Sequence, residues 1–263
     1  MNYRGLWNNI FNRTMNTVRA RSKRKPFGRI AAKDHYGFSL FSHWHCRYSQ
    51  DPFILRESAP SDIEVEPRIK VLLEKIDIRG LRVLELGSLE GAHAMMLEGA
   101  GAGEIISIEG REENFLKCLV AKNALRSKRC TFLLGDLNEV VPQIDQIFDL
   151  CLAVGILYHL PDPVKIMYHL GKISRNIFVW THCIPSSAAP KRLVHIEYQN
   201  NRYRGTYAWE DSRIKVNAVK GKVFWLCEDD LVRLINDAGF SNIDIIGREQ
   251  RKEGQAITLC ARR

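Results

Sequence analysis

From Ile78 onward, short β-rich apolar runs alternate with segments of helical period, and no other feature of the sequence restricts the fold as much. The runs are Arg82–Leu86, Glu104–Ile108, Cys130–Leu134, Phe148–Val154 and Asn176–His182. Helical patterns follow at Ala92–Gly99, Glu112–Leu125, from about Asn138, and at Pro163–Ser174, where Val164, Met167 and Leu170 share a face. Parallel strands need a crossover, so repeated βα steps predict a parallel sheet covered by helices on both faces. The chain closes with a helix over Glu228–Ala238, stopped by Gly239, and two strands, Ile243–Ile246 and Ala256–Ala261, across a polar turn. The prediction is a doubly wound α/β sheet of seven strands whose last strand runs antiparallel. Ligands of such sheets sit at the carboxyl ends of the strands, where the strand order reverses.

Three regions lie outside this repeat. Residues 1–35 form a basic arm that carries +8 of the net charge of +9, so the rest of the chain is nearly neutral. Residues 36–77 are an aromatic-rich lid and helical lead-in to a domain spanning 78–263. Within that domain 184–221 reads as an irregular insertion, rich in Arg, Asn and aromatics, placed to act as a substrate cap. No apolar stretch approaches the roughly 18 residues of a membrane span. The first apolar residues are scattered among Asn and Arg, against a secretory signal. The seven cysteines stand apart without a CxxC pair, which fits a reducing, cytoplasmic setting and neither a disulfide framework nor a zinc site. His43-Trp44-His45-Cys46 has no partner cluster at metal-ligand spacing and reads as part of the aromatic lid.

Four motifs fall at successive strand ends. The first is Val83-Leu84-Glu85-Leu86-Gly87-Ser88-Leu89-Glu90-Gly91, where Gly87 ends a strand and Gly91 opens a helix. A dinucleotide site would want G-x-G-x-x-G here, and Glu90 would set a carboxylate against its phosphates. An acidic loop instead suits a cationic ligand without phosphate. The second is Ser107-Ile108-Glu109-Gly110, whose carboxylate stands 22 residues past Gly87 and could accept both hydroxyls of a ribose. The third, Gly135-Asp136, is positioned for an adenine amino group. The fourth is Phe148-Asp149-Leu150 with Val154-Gly155-Ile156-Leu157-Tyr158-His159-Leu160-Pro161-Asp162-Pro163.

This pattern resembles the class I S-adenosylmethionine-dependent methyltransferases, a Rossmann-like superfamily, over about 78–263. The resemblance implies S-adenosylmethionine as cofactor, held by Glu85, Gly87, Ser88, Gly91, Glu109, Gly110, Asp136, Leu137 and Val154, and no metal. One departure is Leu89, which replaces the family's middle glycine of the first loop and narrows the adenosine slot. The implied reaction is methyl transfer to an oxygen or nitrogen of a small-molecule or glycan-like acceptor. Gly155–His159 and the Tyr/Arg-rich 198–209 segment also look like the wobble-uridine tRNA methyl- and carboxymethyltransferases. A third reading is an inactive methyltransferase fold that binds RNA or membrane.

His159, at the end of the fourth strand, is the first candidate general base, and His182, at the end of the fifth, the second. Against both stands the strength of a sulfonium methyl donor, which needs positioning more than proton transfer. Tyr158, Arg202, Arg204, Tyr207 and Trp209 are the candidate acceptor contacts, because guanidinium and aromatic planes stack on flat polar groups. Tyr168-His169-Leu170-Gly171-Lys172 imitates a dehydrogenase Tyr-x-x-x-Lys but lacks the Ser upstream. Residues 1–33 hold no Asp or Glu, and Tyr3, Leu6, Trp7, Ile10 and Val18 recur at roughly helical spacing. Such an arm fits a peripheral helix on an anionic membrane, a grip on RNA phosphates, a mitochondrial presequence or a solubilising tail.

Overall fold

The computed structural model describes residues 38, 40–46, 66–188 and 193–263, so the basic arm lies outside the described residues. Five parallel strands form the centre: β1 (Arg82–Leu86), β2 (Glu104–Glu109), β3 (Cys130–Leu134), β4 (Leu150–Val154) and β5 (Asn176–His182). Two more, β9 (Asn242–Arg251) and β10 (Gly254–Arg262), complete a sheet of order β3-β2-β1-β4-β5-β10-β9. β10 runs antiparallel to both β5 and β9, as the sequence predicted. The order reverses between β1 and β4, which opens a crevice at their carboxyl ends.

Helices cover both faces. α1 (Pro67–Lys75), α2 (Ala92–Gly99) and α3 (Glu112–Ala124) sit on one side, where Ile69, Leu72, Leu97 and Cys118 close over Val83, Ile105, Leu152 and Phe178. α4 (Leu137–Val140), α5 (Pro163–Ile173) and α6 (Glu228–Asp237) cover the other, with Val164, Met167, Leu231 and Leu234 against Leu84, Ile108, Val179 and Leu259. α1, ahead of Ile78, is therefore part of the packed body. The helix ends follow local chemistry. Asp162 caps α5 by accepting from the Lys165 amide, and Pro163 supplies the first helical φ. Glu228, Asp229 and Asp230 face the positive end of the α6 dipole, and Gly239 at φ +102° ends that helix.

The insertion departs from the irregular segment that the sequence suggested. It contains β6 (Val194–Tyr198) and β7 (Asn201–Trp209), joined by a two-residue turn in which Gln199 and Asn200 both have positive φ, and β7 pairs antiparallel with β8 (Lys222–Leu226). Gly205 permits that pairing, because a Cβ there would lie 2.4 Å from the Trp225 carbonyl oxygen and 2.5 Å from the Phe224 ring. Tyr203, fully buried, anchors this small sheet by donating to Asp237 at 2.7 Å and sharing a hydrogen bond with Tyr168 at 2.7 Å. Tyr168 is thus a core residue on α5. β9 and β10 are also longer than their apolar stretches, because an edge hairpin carries its ladder through Arg248–Arg251 without needing a buried face.

Candidate active site

A cavity of about 530 Å³ lies at the carboxyl ends of β1, β2 and β4. Gly87, Ser88, Leu89, Glu109, Gly110, Asp136, Leu137, Val154, Gly155, Tyr158 and His159 all contribute to its wall. The loops after four separate strands therefore converge on one space.

Glu109 is the best-organised of these groups. Its Oε2 accepts the Leu89 amide at 2.8 Å and its Oε1 the Arg111 amide at 2.9 Å, with 6% of the residue exposed. Asn114 Nδ2 also donates to Oε1, at 3.5 Å, so of the carboxylate's roughly four acceptor sites the one left for a ligand is on Oε2. Burial raises its pKa above the ordinary glutamate value, against the opposing pull of the two amides. Leu89 occupies the left-handed region at φ 52°, a conformation that favours glycine, and its amide is the donor to Glu109. The substitution thus keeps the glycine-type backbone and adds a side chain to the cavity wall. Asp136 caps α4 through the Asn138 amide at 2.9 Å and is met by Lys220 at 2.6 Å. Burial pushes the pKa of Asp136 up, but Lys220 and Asn138 outweigh it and hold it below the usual range.

Other expected residues stand off the wall. Glu85 is 1% exposed, beneath a Ser88–Ser107–Glu85 hydrogen-bond chain, with the His93 imidazole 3.2 Å from its Oε1. His93, not Glu85, faces the cavity. Gly91 is the left-handed N-cap of α2. Glu90, expected to present a carboxylate to the ligand, does not face it. Glu90 is fully buried away from the cavity, 2.9 Å from the equally buried Lys117, and its Oε2 accepts the Cys46 amide at 2.7 Å. A buried lysine this close offsets the desolvation of the carboxylate, so the pair is structural. Phe41 and Trp44 lie over Lys117 at 5.6 and 5.5 Å, and His45 and Cys46 reach the wall. Residues 40–46 of the aromatic segment are thereby fastened beside the first loop.

Of the two candidate bases, His159 has its Nδ1 2.6 Å from Glu210 Oε2. His182 is buried, 3.3 Å from the Gln255 carbonyl, stacked on Trp225 and outside the cavity lining, and burial lowers its pKa. Tyr158 packs against both histidines, and burial pushes its pKa up to about 12. Arg202 and Arg204 face away, paired with Glu197 and Asp230. Tyr207 packs on Phe224, and Trp209 is 77% exposed. None of these four lines the cavity.

The comparisons with known proteins bear on this geometry. A family model described as a methyltransferase domain matches residues 84–175. The N-terminal domain of EvdMO1, crystallised in the presence of SAH and D-fucose, superposes with a TM-score of 0.72 at 21% identity, over 88% of this chain and 95% of that one. The magnesium protoporphyrin IX methyltransferase of Synechocystis PCC 6803 with bound SAM gives a TM-score of 0.52 at 17% identity, covering 100% and 98%. Residues 84–175 thus match a methyltransferase domain, set within a fold shared with S-adenosylmethionine-dependent methyltransferases. A curated relative, the tRNA U34 carboxymethyltransferase of Campylobacter hominis, is 27% identical over 47% of this chain and 43% of its own length, so the chain spans less than half of that relative.

Several residues of this candidate site were not visible as such in the sequence. Arg111 donates to the carbonyls of Ser212, Asn217 and Ala218, and Asn114 to that of Lys215, which folds 215–220 onto the cavity. Arg68 of α1 reaches the wall, its guanidinium 4.6 Å from the Trp180 ring centre. Only the position of Arg111, two residues past Glu109, hinted at its part. Among the described residues no group of three His, Cys, Asp or Glu side chains could hold a metal, and no helix could cross a membrane.

Proposed function

We propose that this protein transfers the methyl group of S-adenosylmethionine to an oxygen or nitrogen of a small-molecule or glycan-like acceptor. The observation that carries the reading is the convergence of Gly87, Glu109, Asp136 and Tyr158-His159 on a single cavity. The donor chemistry fits: Glu109 keeps an acceptor site on Oε2, and Asn114 Oδ1 is buried on the same wall without a hydrogen-bond partner. An adenosine supplies hydroxyl and amino donors to match. Glu109, Asp136, Asn114, Leu89 and Val154 would hold the cofactor, whose sulfonium supplies the activated methyl. His159 would take the acceptor proton, with Tyr158 alongside. The glycan-like acceptor draws support from the EvdMO1 domain, crystallised with D-fucose.

A second reading, modification of the tRNA wobble uridine, is favoured by the curated relative described as a tRNA U34 carboxymethyltransferase. Both readings take the enzyme as cytoplasmic, supported by seven free cysteines, of which six are buried. The deciding experiment incubates full-length protein with methyl-labelled cofactor and a cell extract, then fractionates RNA, protein, lipid and glycan. Label in the small-molecule or glycan fraction is expected, and label in RNA would promote the second reading. Failure to bind S-adenosylhomocysteine and to transfer label would sink both. Residues 1–33 are proposed to attach to anionic membrane or RNA. Their deletion is expected to weaken vesicle or RNA association at low salt and leave cofactor binding unchanged.

A further inference from the structure

We infer that Glu210, in the insertion, is the positioning residue of His159, and that it ties this positioning to the loop closing over the cofactor side of the cavity. The inference rests on the methyltransferase reading for its chemistry but not for its geometry. Glu210 Oε2 receives two donors at once, His159 Nδ1 at 2.6 Å and the Ala218 amide at 2.7 Å. An ionised carboxylate only accepts, so the imidazole must carry a proton on Nδ1. The remaining nitrogen, Nε2, is then the basic one, in the arrangement by which carboxylates orient histidine bases. The contact is sheltered, with the two side chains 12% and 16% exposed, so solvent competes weakly for it.

The second donor makes the coupling. Ala218 belongs to the loop whose neck is closed by the Glu210 amide donating to the Gly221 carbonyl at 2.7 Å. Gly221 has φ +75°, and a Cβ on it would come 3.1 Å from the Glu210 carbonyl oxygen. Arg111 grips the same loop at Asn217 and Ala218, while its own amide donates to Glu109. A continuous set of contacts thus runs from Glu109 through Arg111 and Ala218 to Glu210 and His159. Lys220 adds a tie to Asp136. A ligand that orders Glu109 and Asp136 therefore steadies the loop that holds Glu210 in line.

The test uses the full-length protein with nitrogen-15-labelled histidine, whose two ring-nitrogen signals distinguish the neutral tautomers from each other and from imidazolium. Wild type should show His159 as the Nδ1–H tautomer. Glu210→Ala should lose that preference, and Glu210→Gln, which still offers an acceptor oxygen, should restore it. An Nε2–H tautomer in wild type, or no change in Glu210→Ala, overturns the assignment. For the coupling, S-adenosylhomocysteine should slow exchange of the Ala218 amide about tenfold in wild type, and by less than about twofold in Glu210→Ala. Equal protection in both proteins overturns the coupling alone. No binding of S-adenosylhomocysteine to wild type overturns the coupling together with the proposed cofactor, while the tautomer still decides Glu210.

Discussion

The loops after β1 to β3 and the insertion between β5 and α6 are both rich in charge, and they use it in opposite ways. In the first region, the two carboxylates that line the cavity are fixed by backbone amides. Glu109 takes those of Leu89 and Arg111, and Asp136 that of Asn138, so their positions follow from the course of the chain. In the insertion, charges are fixed by other side chains and distant carbonyls. Arg202 and Arg204 neutralise Glu197 and Asp230, while 210–221 folds onto the cavity through Arg111, Asn114 and Lys220. The lesson is that sequence spacing locates a group held by its own backbone. A group held by a side chain elsewhere is located only when the fold brings that partner.

The sharpest way to break the comparison is at His159, which the insertion reaches through Glu210. His159→Gln is expected to reduce turnover by about 10²- to 10⁴-fold with S-adenosylhomocysteine affinity nearly intact. A loss under about tenfold in the labelled-methyl assay would leave positioning as the whole mechanism. Next in size is the buried pair beneath the first loop. Lys117→Met removes the buried cation beside the Glu90 carboxylate and should destabilise the protein by about 3–5 kcal/mol in urea unfolding, with much of that recovered by adding Glu90→Gln. Full stability in the single variant would mean that the pair is not buried as described.

Glu109→Ala removes the acceptor held by two amides and should weaken S-adenosylhomocysteine binding by about 1.5–3 kcal/mol, measured by calorimetry. Unchanged affinity would detach the first region from the cofactor. Acid sharpens the same point. The Glu109 pKa is raised by burial, whereas that of Asp136 is held low by Lys220 and Asn138 against burial. As pH falls from neutrality, Glu109 therefore gains its proton first. A protonated carboxyl has lost acceptor capacity, so affinity should begin to fall above the ordinary glutamate range, approaching a factor of about ten per pH unit. Glu109→Gln should abolish this step. The smallest effect is expected at the far end of the insertion. Trp209→Ala, at an exposed position outside the cavity, should change turnover and stability by less than about 0.5 kcal/mol. A clear drop in kcat/KM would bring the β7 strand into the acceptor site.

Most of the central sheet was legible, because buried parallel strands must be apolar throughout and their helices must show one apolar face. The hairpin of β6 and β7 was hidden, although Val194-His195-Ile196-Glu197-Tyr198 alternates as a half-buried strand should. Its turn, Gln199-Asn200, lacks the glycine that usually marks such turns, and the arginines around it drew attention as contacts. In the site, Glu109 and Asp136 could be placed from strand ends, whereas Glu210, fifty-one positions from His159, could not.

The sequence by itself determined the order of the central strands and their helices, the crevice at the carboxyl ends of β1 and β4, and two of the carboxylates, Glu109 and Asp136, that line it. It could do so because periodicity and backbone-held groups are local properties. Tertiary structure alone decided that Glu90 turns inward to Lys117, that Arg202 and Arg204 face away from the cavity, and that Glu210 meets His159. Each of those depends on which charge lies opposite after folding. A charged side chain buried against its partner and the same side chain turned toward a ligand look alike in sequence, and only the three-dimensional environment sets their desolvation and pairing.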